Sequence, residues 1–73
     1  MKDKGRRLRV ELNGEPKELA EGATLLSLVE ELALAPERVA VELNRDVVRR
    51  ADWPAARLHD GDRVEIVHFV GGG

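Results

Sequence analysis

Asp60-Gly61-Asp62-Arg63-Val64-Glu65-Ile66-Val67-His68-Phe69-Val70-Gly71-Gly72-Gly73 is the stretch on which the fold turns. Gly61 between two aspartates marks a tight turn, because glycine takes a positive φ without steric penalty. From about Arg63 to about Phe69 the chain is rich in β-branched residues and reads as a strand. Side chains alternate between the faces of a strand, so Val64, Ile66 and His68 share one face, and Glu65, Val67 and Phe69 the other. If Val64 and Ile66 enter a core, Val67 and Phe69 stand exposed immediately before the glycines. Exposed large apolar side chains at such a place suggest a docking surface; a bulge that shifts the register and buries Phe69 is the alternative.

The elements upstream must supply that strand with neighbours. Leu8, Val10 and Leu12 alternate with Arg7, Arg9 and Glu11, the pattern of a strand with one buried face. Asn13-Gly14 follows, a strong hairpin signal because both residues accept positive φ. A second strand is expected over about Glu15 to Leu19, at a sheet edge because Pro16 lacks an N–H. After a turn at Glu21-Gly22, Thr24 is the expected N-cap of a helix. Leu25, Leu28, Val29 and Leu32 form its apolar stripe, widened by Leu26. Pro36 disfavours a helical residue before it, which places the helix end near Ala33 to Ala35. Val39, Val41 and Leu43 give a third strand, Asn44-Arg45-Asp46 a turn, and Val47-Val48 a short return strand. Arg49 to Leu58 reads as irregular, with Trp53 plugging one end of the core. The order strand, strand, helix, strand, short strand, strand implies an α+β domain: a mixed four- to five-stranded sheet wrapped over one main helix. The expected domain is single and spans residues 1–73, with a flexible tail over 70–73.

Composition narrows what such a domain can do. A 73-residue chain with no cysteine has neither disulfides nor thiolate metal sites to support it, so its small core must be well formed. Hydrophobic residues at 42% and charged residues at 36% suit a globular domain rather than a disordered chain. A net charge of −2 and an aromatic content of 3% argue against nucleic acid as a partner, because that role needs basic surface and stacking platforms. Arg6, Arg7 and Arg9 are followed closely by Glu11, Glu15 and Glu18, a mixed-charge solvated face. No apolar run is long enough to span a membrane, and Met1 to Arg9 lacks the apolar segment of a signal peptide, so a cytoplasmic protein is expected.

No catalytic constellation assembles from these residues. Ser27 on the helix is a poor nucleophile without a base beside it. His59, Asp60 and Asp62 have the spacing of an ordinary polar turn, and no metal site is expected there. No glycine-rich loop between strand and helix is present to cradle a phosphate. The tail offers something else. Gly71-Gly72-Gly73 is slim enough to thread where any β-carbon would clash, and extended it reaches roughly 10 Å. A terminal carboxylate on Gly73 is an anion that resists nucleophilic attack, so it reacts only after activation, for example as an acyl-adenylate. The tail is either the working group or an inert end.

The run Val39-Ala40-Val41-Glu42-Leu43-Asn44, with Val47-Val48, Trp53, Leu58 and the stretch from Asp60 to the terminal glycines, resembles the thiamin-biosynthesis sulfur carrier family, ThiS. The resemblance covers nearly the whole chain and is most specific from Asp60 to Gly73. It implies a ubiquitin-like β-grasp fold. It also implies that the chain is a protein co-substrate rather than an enzyme, and that it binds no cofactor of its own. Gly73 would be adenylated with ATP by an adenylyltransferase related to ubiquitin-activating enzymes. The adenylate would become a thiocarboxylate, with sulfur drawn from cysteine through a desulfurase, and would pass that sulfur to thiazole synthase. Val67, Phe69, Val70, Gly71 and Gly72 are the corresponding expected partner contacts. The chain departs from the family pattern in having three glycines where many relatives have two, and in Arg49-Arg50-Ala51 where a proline-containing stretch is more usual. Carriers for molybdopterin synthesis or tRNA thiolation share the fold and the diglycine, and a ubiquitin-like interaction domain with an inert tail is the remaining alternative.

Overall fold

The computed structural model describes residues 6–69. Five strands and one α-helix are built in the expected order: β1 (Arg7–Leu12), β2 (Glu15–Ala20), α1 (Leu25–Glu31), β3 (Val39–Leu43), β4 (Asp46–Val48) and β5 (Arg63–His68). They form one mixed sheet in the order β2-β1-β5-β3-β4. β1 and β5 run parallel, whereas β1–β2, β3–β4 and β3–β5 are antiparallel. The last strand in the chain is therefore the central strand of the sheet, and the expected β-grasp arrangement is observed.

Alternation sets the two faces. Val10, Leu19, Val39, Val41, Val64 and Ile66 are buried on the face that meets α1, together with Leu25, Leu28 and Val29 of the helix. Leu26 and Leu32 sit at the margin of this core, half-buried. Each fully buried aliphatic side chain contributes about 1.5–3 kcal/mol relative to exposure, so these few residues carry most of the stability of so small a domain. The opposite face carries Arg9, Glu11, Glu18, Glu42 and Glu65. Arg9 pairs with Glu18 at 3.5 Å and Arg63 with Glu11 at 3.5 Å, exposed pairs of small energetic weight.

Both two-residue hairpins use residues with positive φ. Asn13 and Gly14 have φ of 49° and 84°, and Asn44 and Arg45 have φ of 52° and 77°. That geometry matches the right-handed twist of the flanking strands. The start of α1 is closed by a capping box: the Ser27 N–H donates to Thr24 Oγ1 at 3.1 Å, and the Thr24 N–H donates to Ser27 Oγ at 2.9 Å.

Three details differ from the sequence expectation. The helix stops at Glu31, two residues before the expected range, because Ala33 adopts a positive φ of 58°. The Leu34 N–H then donates to the Val29 carbonyl and the Ala33 N–H to the Glu30 carbonyl, a Schellman closure. Pro36–Arg38 makes a 3₁₀ turn that leads into β3. The stretch after β4 is not irregular but a six-residue 3₁₀ helix, Arg50–Ala55, containing Pro54. This helix delivers Trp53 into the core at 1% exposure, and the indole N–H donates to the Val48 carbonyl at 2.9 Å. The large ring fills one end of the core while its single polar atom stays satisfied. The segment after Trp53 returns beside α1, where the Leu25 N–H donates to the Ala56 carbonyl and the Leu58 N–H to the Ala23 carbonyl.

Candidate functional site

β5 positions the candidate site. Its pairing with β3 runs without interruption from Leu43 opposite Val64 to Val39 opposite His68, and the Phe69 N–H donates to the Arg38 carbonyl at 2.9 Å. No bulge interrupts the register, so parity decides the fate of every side chain. Val64 and Ile66 enter the core. Val67 and Phe69 project from the outer face, 56% and 62% exposed. The alternative in which Phe69 is buried is excluded.

Val47 stands on the same outer face at 69% exposure. The sequence reading placed it in a short strand without assigning a face. The signal was available in Val48, which turns inward against the core and so forces its neighbour outward. The direct neighbour of Val47 on β3 is Glu42, whereas Ala40, two residues back on the same face, stands directly opposite Val67 and is too small to cover it. Val47, Val67 and Phe69 are the three large apolar side chains exposed among the described residues. Glu42 and Glu65 face each other across β3 and β5 beside them. A face with large exposed apolar groups and a carboxylate border has the composition of a protein-docking surface.

Val70, Gly71, Gly72 and Gly73, the remaining expected site residues, lie outside the described residues. What the fold establishes is where they begin. β5 is central to the sheet and held by β3 through Phe69, so the chain leaves toward Val70 from a rigid strand.

The other chemistry-bearing residues are engaged in structure. The Ser27 hydroxyl donates to the Thr24 carbonyl at 3.0 Å within the helix cap. Asp60 accepts the Arg9 N–H at 2.7 Å. Asp62 accepts the His59 N–H at 2.7 Å through one oxygen and the Asn44 side-chain amide at 3.1 Å through the other. The Asp60-Gly61-Asp62 turn is thus a staple joining β1, β5 and the β3–β4 hairpin. Among the described residues there is no group of three or more His, Asp or Glu arranged to hold a metal ion. Among them, too, no helix is long and apolar enough to cross a membrane.

One residue of the site region was not singled out by sequence reasoning. Asn13, beyond its turn conformation, bonds Ile66 of β5 with both ends of its side-chain amide. Asn-Gly announces a hairpin, but nothing local announces a contact to a residue 53 positions away.

Comparison with known proteins places this architecture. A model of the ThiS family matches residues 10–73. The chain is 47% identical over 66 residues to a protein of Magnetococcus marinus named thiazole synthase, a match covering 90% of this chain and 20% of that protein. A protein of the same name from Paramagnetospirillum magneticum is 35% identical, again over 20% of its length. The chain thus spans about a fifth of the length of these two relatives. It is 44% identical over 62 residues to the sulfur carrier protein ThiS of Thermus thermophilus, covering 85% of this chain and 95% of that one. Among solved structures, the crystal structure of a thiamine biosynthesis protein (ThiS) from Geobacter metallireducens superposes with a TM-score of 0.79 at 38% identity, over 90% of this chain and all of that one.

Proposed function

The chain belongs to the ThiS family, and from that membership we propose that it is a sulfur carrier of thiamin biosynthesis, acted on by enzymes rather than being one. The observation that carries this reading is a family match that runs through the terminal glycines, on a fold that exposes Val67 and Phe69 just ahead of them.

In this proposal the Gly73 carboxylate is the reacting group. A carboxylate oxygen attacks the α-phosphorus of ATP in the site of an adenylyltransferase, forming an acyl-adenylate and releasing pyrophosphate. A desulfurase takes sulfur from cysteine as an enzyme-bound persulfide, and a thiol reductant releases it as sulfide while being oxidised to a disulfide. The sulfide then attacks the acyl carbon. AMP leaves, and the product is a thiocarboxylate. The carrier binds no cofactor in this scheme, since ATP belongs to the activating enzyme. The carrier contributes reach and access, because Gly71-Gly72-Gly73 can enter a narrow channel that side chains would block. Val67, Phe69 and Val70 rest on the enzyme surface and hold the tail in register with that channel.

Thiazole synthase is the proposed acceptor of the sulfur. Support comes from the two thiazole synthases of which a carrier-like stretch forms part, an arrangement that keeps donor and acceptor together. Carriers serving molybdopterin synthesis or tRNA thiolation would share the fold but not this acceptor.

Intact-protein mass spectrometry tests the proposal. The chain is incubated with the adenylyltransferase, ATP and a sulfur source, and the expected result is replacement of one oxygen by sulfur, localised to Gly73. No such gain, with an enzyme that thiolates its own known carrier under the same conditions, overturns the reading.

A further inference from the structure

Backbone parity leaves one edge of β5 open. The Glu11 N–H donates to the Asp62 carbonyl and the Asn13 N–H to the Val64 carbonyl, so even-numbered residues of this stretch present their backbone groups toward β1. Odd-numbered residues turn toward β3: the Asn44 N–H donates to the Arg63 carbonyl, and the Phe69 N–H to the Arg38 carbonyl. At Asn13-Gly14 the chain turns away into β2. The Asn13 side chain then stands in for one more strand residue, accepting from the Ile66 N–H at 2.8 Å and donating to the Ile66 carbonyl at 3.3 Å. The next even residue is His68. Its N–H and C=O point to the same side, where no backbone partner stands among the described residues.

Below this edge, on the inner face, is a cleft of about 290 Å³ lined by Leu12, Asn13, Leu32, Leu34, Ile66 and His68. Its walls are mainly aliphatic, and the Asn13 amide is already engaged with Ile66. The outer edges of the sheet are different. The outward backbone of β2 includes Pro16, which has no N–H to offer, and β4 is only three residues long.

We propose that the His68 edge of β5 and the cleft beside it form a strand-addition site for an extended segment of the enzyme that receives the tail. The proposal rests on the carrier reading and deepens it, since His68 lies five positions before Gly73. An extended chain laid here bonds the His68 N–H and C=O and continues the line of β1 beyond Asn13. A helix cannot do so, because its own backbone groups are already paired. Every second side chain of the added strand faces inward and so enters the cleft, which selects an aliphatic or aromatic residue at that position. β1 runs parallel to β5, so Arg6 lies at the far end of the sheet.

Two variants separate backbone from side chain. His68→Pro deletes the open N–H, and because that N–H has no partner within the described fold, the sheet should tolerate it. His68→Ala deletes only the imidazole. Binding of each full-length variant to the adenylyltransferase and to thiazole synthase is measured by calorimetry, and amide hydrogen exchange at His68 is followed by NMR. The expected result is about tenfold weaker binding of at least one enzyme by His68→Pro, a loss several-fold larger than His68→Ala produces by removing one side chain from the cleft wall. The His68 amide should also become protected in that complex. Wild-type affinity of His68→Pro, or an unprotected His68 amide in a complex that still yields thiocarboxylate, overturns the strand-addition site and leaves the carrier reading intact. Protection that grows with carrier concentration in the absence of enzyme places a second copy at the edge and overturns the proposal. Failure of the parent chain to bind either enzyme overturns both readings.

Discussion

The side-chain amide of Asn13 joins the Ile66 backbone on both sides, accepting its N–H at 2.8 Å and donating to its carbonyl at 3.3 Å. One residue of the first hairpin thereby extends the parallel β1–β5 ladder by a step that its backbone cannot make. The same residue holds φ at 49°, a left-handed conformation that asparagine tolerates better than most. Asn13→Gly retains the backbone freedom and loses the two bonds. It should cost about 1–3 kcal/mol in urea denaturation, the penalty for partly buried backbone groups left without partners. Amide exchange at Ile66 should accelerate in the variant, and unchanged exchange there would mean that the amide contact carries no weight.

Ala33 presents the opposite case, a residue that fits its place poorly. It occupies the left-handed position of the Schellman closure at φ 58°, where glycine is favoured because a β-carbon is strained. The side chain is exposed, so nothing packs against it that would be lost. Ala33→Gly is expected to stabilise the domain by about 0.5–1 kcal/mol, the relief of strain exceeding the added entropy of the unfolded glycine. Thermal melting followed by circular dichroism measures it, and a lowered midpoint would contradict the argument.

These two residues also mark how far the sequence could be read. Strand and helix positions were legible wherever a periodic apolar pattern met a punctuating residue: Leu8-Val10-Leu12 before Asn13-Gly14, or the leucine stripe after Thr24. The helix end was legible from Pro36 to within a few residues, near Ala33 to Ala35. But alanine is the best helix former, and nothing in it announced the left-handed position at Ala33 that stops the helix at Glu31. The 3₁₀ helix around Trp53 was missed for a similar reason: Trp53-Pro54 looks like a break in any α-helical pattern, but a tighter turn accommodates the proline and lets the ring plug the core. Within the site, parity pointed Val67 and Phe69 outward, and the uninterrupted β3–β5 register removed the bulge that would have buried Phe69. The open edge at His68 did not follow from parity, since it depends on where β1 turns away, a long-range fact.

Phe69 and Val67 can be tested without disturbing the fold. Both project from the outer face at 62% and 56% exposure, so Phe69→Ala and Val67→Ala should shift stability by no more than about 0.5 kcal/mol. Their effect should fall on association. If Phe69 is a docking anchor, its loss weakens binding to the adenylyltransferase or thiazole synthase by about 1–4 kcal/mol, read by calorimetry. Val47→Ala, on the same face, gives a measure of how far the docking surface extends across β4. Undiminished binding by all three variants would remove the outer face from the proposed interface.

The reacting group can be isolated from everything upstream of it. One alanine appended after Gly73 leaves β5, Phe69 and the His68 edge unchanged, and moves the terminal carboxylate away by a single residue, about 3.3–3.6 Å. It also puts a β-carbon where the proposed channel admits only glycine. Reaction geometry tolerates little displacement, since misplacement by about 1 Å can already cost 100-fold in rate. ATP–pyrophosphate exchange by the adenylyltransferase should therefore fall to background with the extended chain, while binding measured by calorimetry stays within a few-fold of the parent. Loss of both together would mean that the tail also supplies affinity. Exchange at the parental rate would show that Gly73 is not the residue activated, and would move the site of chemistry away from the glycine tail.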